Sequence, residues 1–149
     1  MTEATYTKDA QELRIAKILG SEDIDVCDEA TETYLKYLKN TLDLPCKVTG
    51  VEDFRWEEFY IIGLGDQGEH NELRKTQPSC MDTYMLIDIE KDIFSEWMMF
   101  SDEDLAAKVK RISDKKEFWL GLSEIEATDN KSKNYQLLHD YSVWLINFR

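Results

Sequence analysis

No apolar run in this 149-residue chain approaches the ~20 residues needed to cross a bilayer. Its first residues, MTEATYTKDAQELRIAKILG, lack the charged-then-apolar order of a secretory signal. The expectation is a soluble, cytoplasmic chain with no membrane partner. Cysteine is sparse: Cys27, Cys46 and Cys80 are odd in number and widely spaced. They make no disulfide framework and suit a reducing compartment. Histidine is scarcer still. Neither His70 nor His139 has a ligand-like neighbour at short spacing, which argues against a zinc site of Cys and His. None of Gly63, Gly65 and Gly68 is directly followed by a Lys-Ser/Thr pair, so no phosphate cradle is expected. No segment carries the D-x-[DN]-x-[DN]-G spacing of an EF-hand. Positive charge is in deficit, with 18 Lys and Arg against 31 Asp and Glu. The resulting net charge of −13 opposes binding to a phosphate backbone and favours cations or basic partners.

Core-forming residues are plentiful. The hydrophobic fraction of 42% and aromatic fraction of 11% exclude a wholly disordered chain, and the length suits one domain. The acidity is unevenly spread. Residues 1–53 hold 12 acids and 6 bases (−6), residues 54–104 hold 13 and 4 (−9), and residues 105–149 hold 6 and 8 (+2). The basic third owes its sign chiefly to Lys108, Lys110, Arg111, Lys115 and Lys116.

Apolar spacing predicts a helix over 8–19, stopped by Gly20, and a second over 28–42 with Asp28 as its N-cap. Asp23–Cys27 reads as a short extended lead-in, and Pro45 forces the exit from the second helix. Strands are expected over 46–51, 56–64 and 83–89. Residues 65–77 begin as a glycine-rich loop, with a short helix through Leu73–Lys75. A hairpin follows over 105–122, turning at Ser113–Lys116, and then a short closing strand over 123–127. Leu137, Tyr141, Trp144 and Phe148 share one face of a predicted terminal helix over 133–148. The expected fold class is α+β: a small curled antiparallel sheet, an SH3-like barrel, flanked by an N-terminal and a C-terminal helix.

The run D-V-C-D-E-A-T-E-T-Y-L-K-Y-L-K-N-T-L-D-L-P-C-K-V, residues 25–48, resembles the opening of a small bacterial calcium-binding protein family first described in cyanobacteria. Leu122-Ser123-Glu124-Ile125-Glu126 is similar to that family's closing segment, and Asp140-Tyr141-Ser142-Val143-Trp144 to its terminal helix. Met99–Asp104 resembles an acidic loop leading into a barrel strand. The resemblance implies one domain over 1–149. Residues 1–22 form an N-terminal extension, and residues 23–149 form the family-like unit, with an insertion near 65–99. It also implies calcium as the cofactor and a role as a calcium buffer or sensor, not an enzyme.

Calcium takes six to eight oxygens, which adjacent loop acids can supply. The expected metal ligands are Glu52 and Asp53 at a strand end, Glu57 and Glu58 just beyond, and Asp102-Glu103-Asp104. The competing reading is an interaction module whose metal binding has been lost, with an acidic surface or an aromatic one from Trp56, Phe59, Tyr60 and Trp97–Phe100. A protein partner would then replace calcium. His70 is expected to be exposed in a polar loop, and His139 to lie on the terminal helix.

Overall fold

The computed structural model describes residues 9–149. Helix α1 spans Ala10–Leu19; Asp9 caps it by accepting from the Glu12 N–H at 2.8 Å, and Gly20 ends it in the left-handed region at φ 69°. Helix α2 spans Asp28–Thr41. Its cap is Cys27 and not Asp28, because the extended backbone ends at Cys27 and Asp28 is already helical. The Cys27 Sγ accepts from the Ala30 N–H at 3.4 Å. Residues 23–27 form no ladder; Val26 donates its N–H to the Phe148 carbonyl at 2.8 Å.

Five strands follow: β1 Cys46–Gly50, β2 Thr83–Glu90, β3 Ala106–Arg111, β4 Glu117–Gly121 and β5 Ile125–Ala127. They form one antiparallel sheet in the order β4-β3-β2-β1-β5. The outer strands β4 and β5 do not pair, so the curled sheet is open and not a closed barrel. Val48 sits at its centre, opposite Tyr84 on one side and Ala127 on the other. A bulge between Leu86 and Asp88 shifts the alternation of β2, which lets Leu86 and Ile89, three apart, both enter the core.

The strand expected over 56–64 is absent. A 3₁₀ turn over Arg55–Glu57 runs into helix α3, Glu58–Ile61. Both sides of β1 are already taken by β2 and β5, so no ladder position remains next to it. The buried residues Phe54, Glu57 and Tyr60 recur every third position, a helical period. Helix α4, Gln67–Leu73, begins earlier than the composition suggested, capped by Asp66.

Helix α5, Lys133–Phe148, lies against β5 and the 3₁₀ turn Leu122–Glu124 that precedes it. Its apolar face meets α2: the Tyr34 ring is 5.2 Å from Tyr141 and 4.9 Å from Trp144. The Trp144 indole N–H donates to the Ile24 carbonyl at 2.6 Å, pinning the lead-in segment. Helix α1 docks through Arg14, whose guanidinium grips the Asp140 carboxylate at 2.8 and 3.0 Å. Among the described residues no helix is long and apolar enough to cross a membrane.

Candidate metal centre

The expected acidic residues divide among five environments. Glu52 and Asp53 are exposed on the turn leaving β1. They line a cavity of about 200 Å³ shared with Met99, Phe100, Glu124 and Ile146. Asp102 and Glu103 are exposed beside the N-terminus of α2, in a recess of about 130 Å³. Glu58 points into water from α3. Glu57 is fully enclosed, and its carboxylate accepts from the Ser79 hydroxyl and the Cys80 N–H, both at 2.7 Å. His70 Nε2 completes this knot at 2.9 Å from Glu57 Oε2. His70 is therefore buried, not exposed as expected, with its ring stacked on Tyr60 at 5.1 Å.

Asp104 stands between the two cavities. It lines the α2 recess, yet its carboxylate turns into the protein and accepts from the Ser123 hydroxyl at 2.6 Å and the Tyr141 hydroxyl at 2.7 Å. Burial pushes its pKa up to about 7 against these donors, and nearby Glu124 raises it further. Glu124 was not among the expected ligands, although it lies within the closing segment quoted for the family resemblance. It comes from the 3₁₀ turn between β4 and β5. Its Oε2 accepts from the Met99 N–H at 3.2 Å, and burial raises its pKa to about 6. Among the described residues Glu124 has no cationic partner within salt-bridge distance.

Gly121 permits this crowding. A Cβ there would stand 2.4 Å from Glu124 Oε2 and 2.6 Å from Asp104 Oδ2. Only a residue without a side chain lets two carboxylates lean on the same strand end. Glu124 thus places a half-buried carboxylate in the same cavity as two exposed ones, Glu52 and Asp53. That donor set is all oxygen, the chemistry suited to a hard cation such as calcium.

The α2 recess is electrostatically different. Lys91 reaches into it and pairs with Asp28 and, at 3.2 Å, with Asp92. The positive end of α2 adds to the same field. A free cation would have to compete with a tethered ammonium there, whereas no Lys or Arg among the described residues lines the cavity at Glu124. Glu103 is further engaged by Arg149 at 3.8 Å. Among the described residues no three His, Cys, Asp or Glu side chains already converge as a preformed metal cage. Glu52, Asp53 and Glu124 share one cavity without forming such a cage.

Two solved structures share this arrangement of helices and sheet. The crystal structure of Anabaena CcbP aligns with a TM-score of 0.56 at 22% identity, covering 96% of this chain and 95% of that one. A calcium-binding protein in its calcium-binding form aligns with a TM-score of 0.56 at 21% identity, covering 93% and 91%. The likeness is one of fold. No protein-family model and no curated protein matches the sequence.

The aromatic surface expected as an alternative is only partly formed. Tyr60 and Met98 are buried, while Trp56, Trp97, Met99 and Phe100 are half-buried. Phe59 remains exposed, in company that sequence spacing did not suggest.

Proposed function

We propose that the protein binds calcium in the cavity between the turn after β1 and the 3₁₀ turn before β5, through Glu52, Asp53 and Glu124. The observation that carries this reading is Glu124: a half-buried carboxylate, without a cationic partner among the described residues, lining one cavity with two exposed carboxylates. A divalent cation there replaces the proton that burial would otherwise favour. The shared fold with a calcium-binding protein supports the choice of ion. Three carboxylates without a preformed cage suit a modest-affinity buffer better than a tight sensor. The recess of Asp28, Asp92, Asp102 and Glu103 is a weaker position, attracting cations but already served by Lys91. The role is binding and not catalysis. We also read the open sheet as an SH3-like barrel left unclosed between β4 and β5. The free cysteines, with Cys27 exposed, favour a reducing compartment such as the cytoplasm.

A residue-resolved chemical-shift titration with calcium, with magnesium as control, tests the proposal. Saturable shifts confined to residues 51–53, 99–100 and 121–124 are expected. Glu124→Gln should weaken calcium binding by about tenfold or more, equivalent to about 1.4 kcal/mol. A diffuse, salt-like response, equal shifts with magnesium, or an unchanged affinity in Glu124→Gln would overturn it.

A further inference from the structure

The stretch from Phe59 to Leu64 keeps four large apolar side chains in water: Phe59 is 52% exposed, Ile61 38%, Ile62 65% and Leu64 71%. Single exposed apolar residues are ordinary, but four within six positions form a contiguous patch. The patch is held firmly from behind. Tyr60 is buried and stacked on His70, which is itself tied to Glu57. Trp56 donates its indole N–H to the Pro78 carbonyl at 2.6 Å. The Leu64 and Gly65 N–H groups both reach the Phe59 carbonyl at 3.2 Å. At Gly65 the backbone lies so close to the Phe59 and Tyr60 rings that a Cβ would meet Tyr60 at 2.4 Å. The apolar side chains are thus displayed on a braced turn, while their neighbours supply the core contacts.

Around them the charge is predominantly acidic. Glu58, Asp66 and Glu69 are exposed, and no Lys or Arg occurs between Arg55 and Arg74; Glu72, farther along α4, is already paired with Lys75 at 2.6 Å. An anionic lipid surface would be repelled by this rim. Two copies of the chain, each carrying a net charge of −13, would bring like rims together. The geometry points to a docking surface for a basic amphipathic helix of a protein partner, whose apolar stripe covers Ile62 and Leu64 while its Lys and Arg side chains meet the acidic rim. In such recognition of an amphipathic helix, apolar anchors give affinity and charges set orientation and on-rate. It uses none of the calcium-cavity residues and stands independently of that reading.

The test uses a fluorescein-labelled Leu/Lys peptide of about five helical turns with Leu on one face, titrated in metal-free buffer and followed by anisotropy. Saturable one-to-one binding is expected. Ile62→Ser combined with Leu64→Ser should weaken it by about tenfold or more, the scale of a central apolar anchor. Both positions are mostly exposed, so thermal melts of the variant should match the parent's. Glu58→Gln should weaken binding less and flatten its salt dependence. Leu13→Ser, which removes an exposed leucine on α1, should change nothing. Equal binding of a scrambled peptide would overturn the proposal, as would unchanged affinity in the Ile62/Leu64 variant. So would sedimentation showing that the protein self-associates through this patch, since the occupant would then be a second copy.

Discussion

Arg111 offers the sharpest stability test. Its guanidinium, 2% exposed at the end of β3, donates to the carbonyls of Arg74, Lys75 and Gln77 at 2.9–3.1 Å. The same group grips Asp82 at 2.9 Å and Asp114 at 2.8 Å, and lies 5.2 Å from the centre of the Phe118 ring. One cation therefore satisfies the chain end of α4 and fastens the α3–α4 segment to the β3–β4 hairpin. Arg111→Met keeps much of the packing but strips every donor. Breaking a buried pair by removing one partner typically costs about 3–5 kcal/mol. Asp82 and Asp114 retain 18% and 33% side-chain exposure and recover some water, which places the cost near the lower end. A loss of about 3 kcal/mol at roughly 2–4 °C per kcal/mol lowers Tm by about 6–12 °C. Urea and thermal unfolding followed by tryptophan fluorescence measure this. Hydrogen exchange should show the largest gain at residues 74–77. A Tm within about 2 °C of the parent's would refute the argument. Asp114 gives a companion signature: Arg111 holds its pKa down to about 2, so its contribution is present above the ordinary carboxylate range and is lost as pH falls through about 2.

Two further expectations follow from the paired carboxylates. Asp104 binds its proton more tightly when folded, with a pKa about 7 against the ordinary 3.8, so stability should fall as pH rises through that interval. Glu124 acts in the same direction, and urea midpoints at pH 5 and pH 8 should differ more in the parent than in Asp104→Asn; identical slopes would count against the assignment. At Gly121 an alanine must displace Glu124 or Asp104, costing about 1–3 kcal/mol by overpacking. The same change should weaken calcium binding, and a Gly121→Ala protein with parental stability and affinity would remove the crowding argument.

Helices α1, α2 and α5 were legible because each declares itself locally. Gly20, Pro45 and the 3.6-residue spacing of Leu137, Tyr141 and Trp144 need no knowledge of distant partners. The β3–β4 hairpin was equally plain. Trp56–Leu64 misled because its aromatic and β-branched residues favour strands, while what fixes the helical turn is Glu57 meeting His70, thirteen residues on. Glu52 and Asp53 stood out as adjacent acids at a strand end. Glu124 did not, since its value comes from burial and from Gly121, neither visible as a pattern. Arg111 counted in the sequence merely as one of several basic residues in the final third, and only the tertiary structure turns it into an interior staple.

The placement of α5 carries a consequence for how the molecule is built. Every strand it covers precedes it in the chain, and so does the Ile24 carbonyl that receives its Trp144. On the ribosome, α1, α2 and the whole sheet must emerge with the faces meant for Tyr141, Trp144 and Leu145 still open. Long-range contacts of this kind close late and slowly. Until α5 arrives, the growing chain exposes aromatic surface that the finished protein hides, and that interval is when a chaperone would find it.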